Sequence, residues 1–263
     1  MKKNKFMRLA SVMLMLCLIT TCAISGTFAK YTTSASATDQ ARVAKWGVTV
    51  TMMAEEQIFA TQYKDEAIAS GGTVIGGNND TDVVAPGTYG TLSTIDVTGT
   101  PEVTVDVTTN LKLNLSNWTV TWDHDNDGGT TPEIPYCPIV FEVDGVKYGM
   151  KGIKDYTGTL VPDATSYTTI AELETAVINA ILTTIYGDAT DTVAGTTPYE
   201  TKKVVRYTPN HTFAIDEDFS WEWAFDSNVD AKDTALGNLS ADTNPDNNPE
   251  IDFAMQVIVE QVD

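Results

Sequence analysis

The sequence predicts a mainly β protein: an antiparallel β-sandwich, jelly-roll-like, with one amphipathic helix in a mid-chain insertion at about 150–200. Three observations lead there. Apolar residues alternate along several runs, clusters of Gly, Pro, Asn and Asp separate those runs, and one segment has helical spacing instead. Successive side chains of a strand point to opposite faces, so each alternating run has one apolar and one polar face. Packed antiparallel sheets bury such faces against each other.

The first element is an export signal. Lys2, Lys3, Lys5 and Arg8 precede an apolar run from Leu9 to about Ile24, and small residues lead to Thr27-Phe28-Ala29. That basic, apolar and small-residue order is the pattern of a secretory signal. Thr20 and Thr21 interrupt the run and Ser25 and Gly26 end it, short of the ~20 apolar residues a membrane span needs. A lipid-modified Cys22 would follow Ile19-Thr20-Thr21, which is bulky for such processing. Cleavage is expected after Ala29, so Thr27, Ala29 and Lys30 are the processing residues and 1–29 is the signal peptide. Residues 30–41, "KYTTSASATDQA", form an extended polar segment, and 42–263 is the sandwich domain.

The strands follow by parity. Trp46, Val48, Val50 and Met52 make one set, then Val103, Val105 and Val107, then Leu111, Leu113 and Leu115. Phe219, Trp221, Trp223 and Phe225 make another, and Ile251, Phe253, Met255, Val257 and Val259 the last. Trp118, Val120 and Trp122 also read as a strand. In "TTIAELETAVINAILTTIYG", Ile170, Leu173, Val177, Ile178, Ile181, Leu182 and Ile185 recur at helical spacing. Thr169 with Glu172 makes a capping box and Gly187 a stop, so an amphipathic helix is expected to lie across a sheet.

Charge and cysteine narrow the function. The formal net charge is −20, and removing residues 1–29 takes away four positive charges and no acids, leaving −24. Phosphate binding depends on Lys and Arg, so nucleic acid and anionic membrane surfaces are excluded as partners. A hydrophobic content of 42% argues against disorder. Cys17 and Cys22 leave with the signal, so Cys137 has no intramolecular partner and no disulfide framework forms. The closing "MQVIVEQVD" carries neither an apolar tail nor a sorting motif, and no stable membrane anchor is expected.

One local motif suggests a ligand. In "DHDNDGGTTPE", Asp123, Asp125 and Asp127 alternate and Gly128 follows, with Glu133 further on. Ca²⁺ takes six to eight oxygens, and alternating aspartates in a tight loop supply several together. Ile134 stands where an EF-hand would place its bidentate acid, and a strand leads in, so the alternatives are a calcium loop between strands or a solvated acidic turn. Asp226, Asp230 and Asp233 form a second acidic cluster, in which Asp233 is expected to cap a short helix. His124 reads as an exposed loop residue. With only His124 and His211, no HExxH, no GxSxG and no phosphate loop, the chain is not expected to be an enzyme.

"GTFAKYTTSASATDQARVAKWGV" resembles the processing region of proteins handled by the SipW type of signal peptidase in Gram-positive bacteria. "VVAPGTYGTLSTIDVTGTPEVTVDV", "WEWAFDSNVDAKDTALGN" and "VIVEQVD" are similar to segments of the TasA/camelysin biofilm-matrix family. About Pro132 to Pro209 carries no matching motif. The resemblance implies a jelly-roll-like sandwich and fibres made by donor-strand exchange, with copies of itself or other matrix fibre subunits as partners. The metallopeptidase label given to camelysins finds no support in these residues. Export would free the segment whose Tyr31, Thr33, Ala35 and Ala37 share one face, leaving it to add to a neighbour's sheet edge. The expected function is therefore a secreted structural protein of the cell surface or biofilm matrix. The alternative is a monomeric, calcium-stabilised binding or adhesion module of the cell surface.

Overall fold

The alternating runs become the strands of two antiparallel sheets. The computed structural model describes residues 10–16, 44–52, 59, 62–63, 83–225, 229–241 and 247–262. The chain divides into two units, Met1–Ala44 and Lys45–Asp263. In the first, residues 10–16 are helical. Among the described residues no helix is long and apolar enough to cross a membrane.

In the second unit the strands are β1 (Val48–Met52), β2 (Gln62–Tyr63), β3 (Thr88–Gly99), β4 (Val105–Ser116), β5 (Thr121–Trp122), β6 (Ile134–Pro135), β7 (Ile139–Val143) and β8 (Val146–Met150). They continue with β9 (Ser166–Tyr167), β10 (Val193–Ala194), β11 (Thr201–Tyr207), β12 (Phe213–Trp223) and β13 (Glu250–Gln261). Among its described residues two α-helices, α1 (Ile170–Tyr186) and α2 (Asp230–Ser240), accompany the strands, with a short 3-10 turn at Asp163–Thr165. The larger sheet runs β1-β3-β12-β7-β8-β9, with β2 also on β3, and the smaller runs β10-β11-β4-β13. All pairings are antiparallel except β8 with β9.

β4 shows why the parity runs fold this way. Val105, Val107, Leu111, Leu113 and Leu115 are buried on its inner face, and one unbroken strand carries both of the valine and leucine sets. In β3 the pattern slips. Thr91 pairs with Ser220 and Ser93 with Phe219, which leaves Leu92 as the extra residue of a β-bulge. The bulge moves the inward positions from odd (Ile95, Val97) to even (Leu92), all of them buried. β3 starts from the turn Ala85-Pro86-Gly87-Thr88, closed by Thr88 N–H donating to the Ala85 carbonyl at 3.0 Å. Gly87, at φ 86°, takes the left-handed position such a turn requires after proline. Gly90 is needed for space: a Cβ there would lie 2.9 Å from Nε1 of Trp221.

α1 fills the gap between the sheets at one side. The Thr169 hydroxyl accepts from Glu172 N–H, the Glu172 carboxylate accepts from Thr169 N–H, and Gly187 ends the helix at φ 81°. Leu173, Val177, Ile178, Ile181, Leu182 and Ile185 are buried against β4 of one sheet and β7, β8 and β12 of the other. Burying side chains of this size stabilises by roughly 1.5–3 kcal/mol each. Tyr186 closes the far end, its hydroxyl 2.7 Å from that of Thr109. Cys137 is fully buried in the same core, where desolvation pushes its thiol up to about 12.

Two expected elements differ. Of the Trp118–Trp122 run only Thr121 and Trp122 are strand. Trp118 instead turns inward and donates its indole N–H to the Glu250 carbonyl at 3.1 Å. Phe225 lies past the end of β12 and is 59% exposed, so it does not continue the inward set of Phe219, Trp221 and Trp223.

Candidate functional site

The acidic loop hangs from a ladder of two residue pairs, in which Thr121 pairs with Pro135 and Trp122 with Ile134. Trp122 is buried edge-on to Tyr136, with ring centroids 5.2 Å apart, and this anchors the loop. From there the aspartates organise the chain themselves. Asp123 accepts from the N–H groups of Asp127 at 3.3 Å and Gly128 at 3.1 Å. Asp127 accepts from the N–H groups of Gly129 at 3.0 Å and Thr130 at 2.8 Å, and from the hydroxyls of Thr130 and Thr131. The Thr130 and Thr131 hydroxyls, with the backbone donors, hold the Asp127 carboxyl down at about 2.

The carboxylates of Asp123, Asp125 and Asp127 come within 4.8 Å of one another. Glu133 does not join that group: it stands at the base of the loop and accepts from the Thr121 hydroxyl at 2.6 Å. Three clustered carboxylates are hard oxygen donors of the type Ca²⁺ takes, with water to complete the shell. Asp127 already receives four hydrogen bonds, and its lone pairs turn to a cation only as those donors give way. His124 is half-buried rather than exposed, and its Nδ1 has no hydrogen-bond partner. Its backbone carbonyl closely approaches Gly152, two residues past β8.

A second polar cluster has no counterpart in the sequence motifs. Lys147 of β8 places Nζ 2.9 Å from Glu222 of β12 and 3.2 Å from Asp155 in the loop after β8. The two acidic side chains are only 7% and 10% exposed. Oδ1 of Asp155 accepts from Thr157 N–H at 2.9 Å, the Thr157 hydroxyl at 2.6 Å and Thr159 N–H at 2.9 Å. Glu222 also accepts from Tyr156 N–H at 3.2 Å. Burial opposes ionisation of Asp155, but the Thr157, Thr159 and Lys147 donors outweigh it and hold the carboxyl below its ordinary value. Lys147 shows the mirror case: burial would lower it, yet bonds to Glu222 and Asp155 raise it. The cluster pins loop 151–161 onto the outer face of the larger sheet. The signals for it are weak, a Lys on a strand, a Glu between two tryptophans and Asp-x-Thr-x-Thr.

β13 presents the third candidate surface. Its twelve residues pair in continuous register with β4, from Glu250 with Ser116 to Gln261 with Val105. Among the described residues no strand pairs with its other side. β1, the edge of the larger sheet, runs close to it.

The remaining sequence candidates fall elsewhere. Thr27, Ala29 and Lys30, and Tyr31, Thr33, Ala35 and Ala37, lie outside the described residues, as does Asp226. Asp230 and Asp233 both belong to the first turn of α2, whose N-cap is Val229 without a side-chain bond. Asp233 is therefore no cap; it accepts from the Tyr136 hydroxyl at 2.6 Å and ties α2 to the chain after β6. Comparison with family models, curated proteins and solved structures finds no match to this chain.

Proposed function

We propose that the chain is a secreted structural protein of the cell surface or biofilm matrix, assembling with copies of itself or other matrix fibre subunits by strand addition. The reading is non-enzymatic. The observation that carries it is the outer edge of β13, unpaired among the described residues, twelve residues long, with no bulge in its register and no proline. Long unprotected edges invite pairing, and proteins that do not use them usually break them with bulges, proline or lysine. Residues 30–41 supply a partner segment of matching length. Lys30 and Asp39 are its only charged side chains, and cleavage adds an α-ammonium group, so it meets the acidic positions Glu250, Asp252 and Glu260 without net repulsion. Held by the signal peptide it would stay in place, and cleavage after Ala29 by a SipW-type peptidase would release it outside the cell. Heterologous contacts of this kind do not close and give filaments.

Electron microscopy and sizing chromatography of chains beginning at Lys30 and at Arg42 test the reading. Filaments from the first and monomers from the second are expected. Ala35→Pro in the longer chain should also stop filaments, because it removes a main-chain donor, while the melting temperature of the domain stays unchanged. Filaments from the chain beginning at Arg42 would end the proposal.

The convergence of Asp123, Asp125 and Asp127 favours a second reading, a monomeric surface-binding module steadied by Ca²⁺. On that reading Ca²⁺ at a hundred times its dissociation constant adds roughly 2.7 kcal/mol of stability. A calorimetric titration with no heat and an unchanged melting temperature removes it.

A further inference from the structure

The side of α1 turned away from the core lines an open trough. Two adjoining cavities of about 430 and 500 Å³ share Tyr167, Ala176 and Asn179 and so form one continuous depression along the helix. Tyr148 of β8 and Tyr167 of β9, both half-buried, are its aromatic walls. Its floor is small, because Ala171, Thr175, Ala176 and Ala180 recur at helical spacing on one face. From Ala171 to Thr184 the helix lining spans about 20 Å at 1.5 Å per residue.

The polar lining is selective. Asn179, Thr175, Thr183 and Thr184 offer an amide and three hydroxyls, which both donate and accept. Asp144 lines one cavity and Glu172 the other, and among the described residues no Lys, Arg or His lines either.

We propose that this trough binds a linear glycan bearing free amino groups. Tyrosine rings present flat apolar faces beside a polar tip, which suits the C–H faces and hydroxyls of sugar rings. The carboxylates of Asp144 and Glu172 meet ammonium groups, and the net charge of −20 attracts a polycation while repelling acidic glycans. A protein partner would want a buried apolar anchor, and this lining is shallow, with Val146 its large exposed apolar side chain at 41%. The trough sits at the β8–β9 end of the larger sheet, whereas β13 runs beside β1 at the other end. Strand addition at β13 therefore leaves it open, and glycan binding does not depend on polymerisation.

The test is calorimetry of the full chain with a β-1,4-linked glucosamine hexasaccharide and with its fully N-acetylated counterpart. The amine form should bind, and the acetylated form more weakly. Asn179→Trp, at an exposed helix position, fills the trough and should weaken binding by about tenfold or more with no change in melting temperature. Tyr167→Phe, which keeps the ring, should retain most of the affinity. No binding of the amine hexamer overturns the proposal. So does binding that Asn179→Trp leaves intact and high salt abolishes, since that is diffuse attraction to an acidic surface. Equal affinity for the acetylated form overturns the role given to the amino groups.

Discussion

The loop at 123–131 and the loop at 151–161 are each organised by an aspartate that collects backbone and threonine donors, yet only the second is tied to a lysine under cover. Asp127 gathers two N–H groups and two hydroxyls in open solvent. Asp155 gathers two N–H groups and one hydroxyl, and adds Lys147 and, through it, the buried Glu222. The same local chemistry thus yields a self-contained turn in one place and a clamp between loop and sheet in the other. Water competes for every donor of the first loop, whereas loss of one member of the second cluster leaves a buried charge without its counter-charge.

Four experiments press on that difference. Lys147→Met should cost roughly 3 kcal/mol in urea unfolding, because it strands two buried carboxylates. A loss no larger than that of a surface substitution would show that water reaches Glu222 and Asp155 freely. Asp155→Ala should cost about 2 kcal/mol, since it takes one of two close carboxylates from Lys147 and leaves the Thr157 and Thr159 N–H groups without their acceptor. If the loop refolds around another acceptor, the cost will be small and hydrogen exchange at those two amides will be unchanged.

The pH dependence is the third test. Asp155 lies below its ordinary 3.8, so its contribution is present above 3.8 and is lost as pH falls through the folded value. Lys147 lies above its ordinary 10.5, so its contribution is present below 10.5 and is lost as pH rises through the folded value. The urea midpoint should carry an acid limb that Asp155→Asn flattens; an unaltered limb in that variant would assign acid sensitivity to other groups. The smallest effect is expected of Asp127→Ala, which should leave the urea midpoint unresolved from wild type while loosening residues 128–131 in amide exchange. A clear fall in midpoint would place the exposed loop in the cooperative core.

How much of this could be read in advance depends on whether the partners are local. The capping box of α1 joins Thr169 to Glu172, and both ends of that helix are legible from residues within one turn. The inner face of β4 is legible because apolar alternation marks both ends of the strand, Val105 and Val107 then Leu111, Leu113 and Leu115, and only Thr108-Thr109-Asn110 between them interrupts it. Asp123, Asp125 and Asp127 stand out because three acids and two glycines fall within seven residues. Glu222 was hidden by the same rule that reveals strands: between Trp221 and Trp223 it reads as an outward, solvated position. It is outward, but loop 151–161 covers it, and nothing near residue 222 announces that Tyr156, 66 positions earlier, will lie against it. The Leu92 bulge was hidden for a related reason, since an inserted residue breaks the parity that marks a strand. Asp233 looked like a cap because acids open helices; its partner Tyr136 lies 97 positions away.

Cys137 has a consequence for an assembly of such chains. It is the only cysteine outside residues 1–29, it is fully buried, and its thiol stays protonated. Neighbouring copies therefore cannot be joined by disulfides unless the core first opens, even in an oxidising medium. Every copy of the chain accordingly carries a silent chemical clock. The rate at which an alkylating reagent reaches Cys137 reports how often its sandwich opens, and any contact that favours the closed form slows that clock by the same factor.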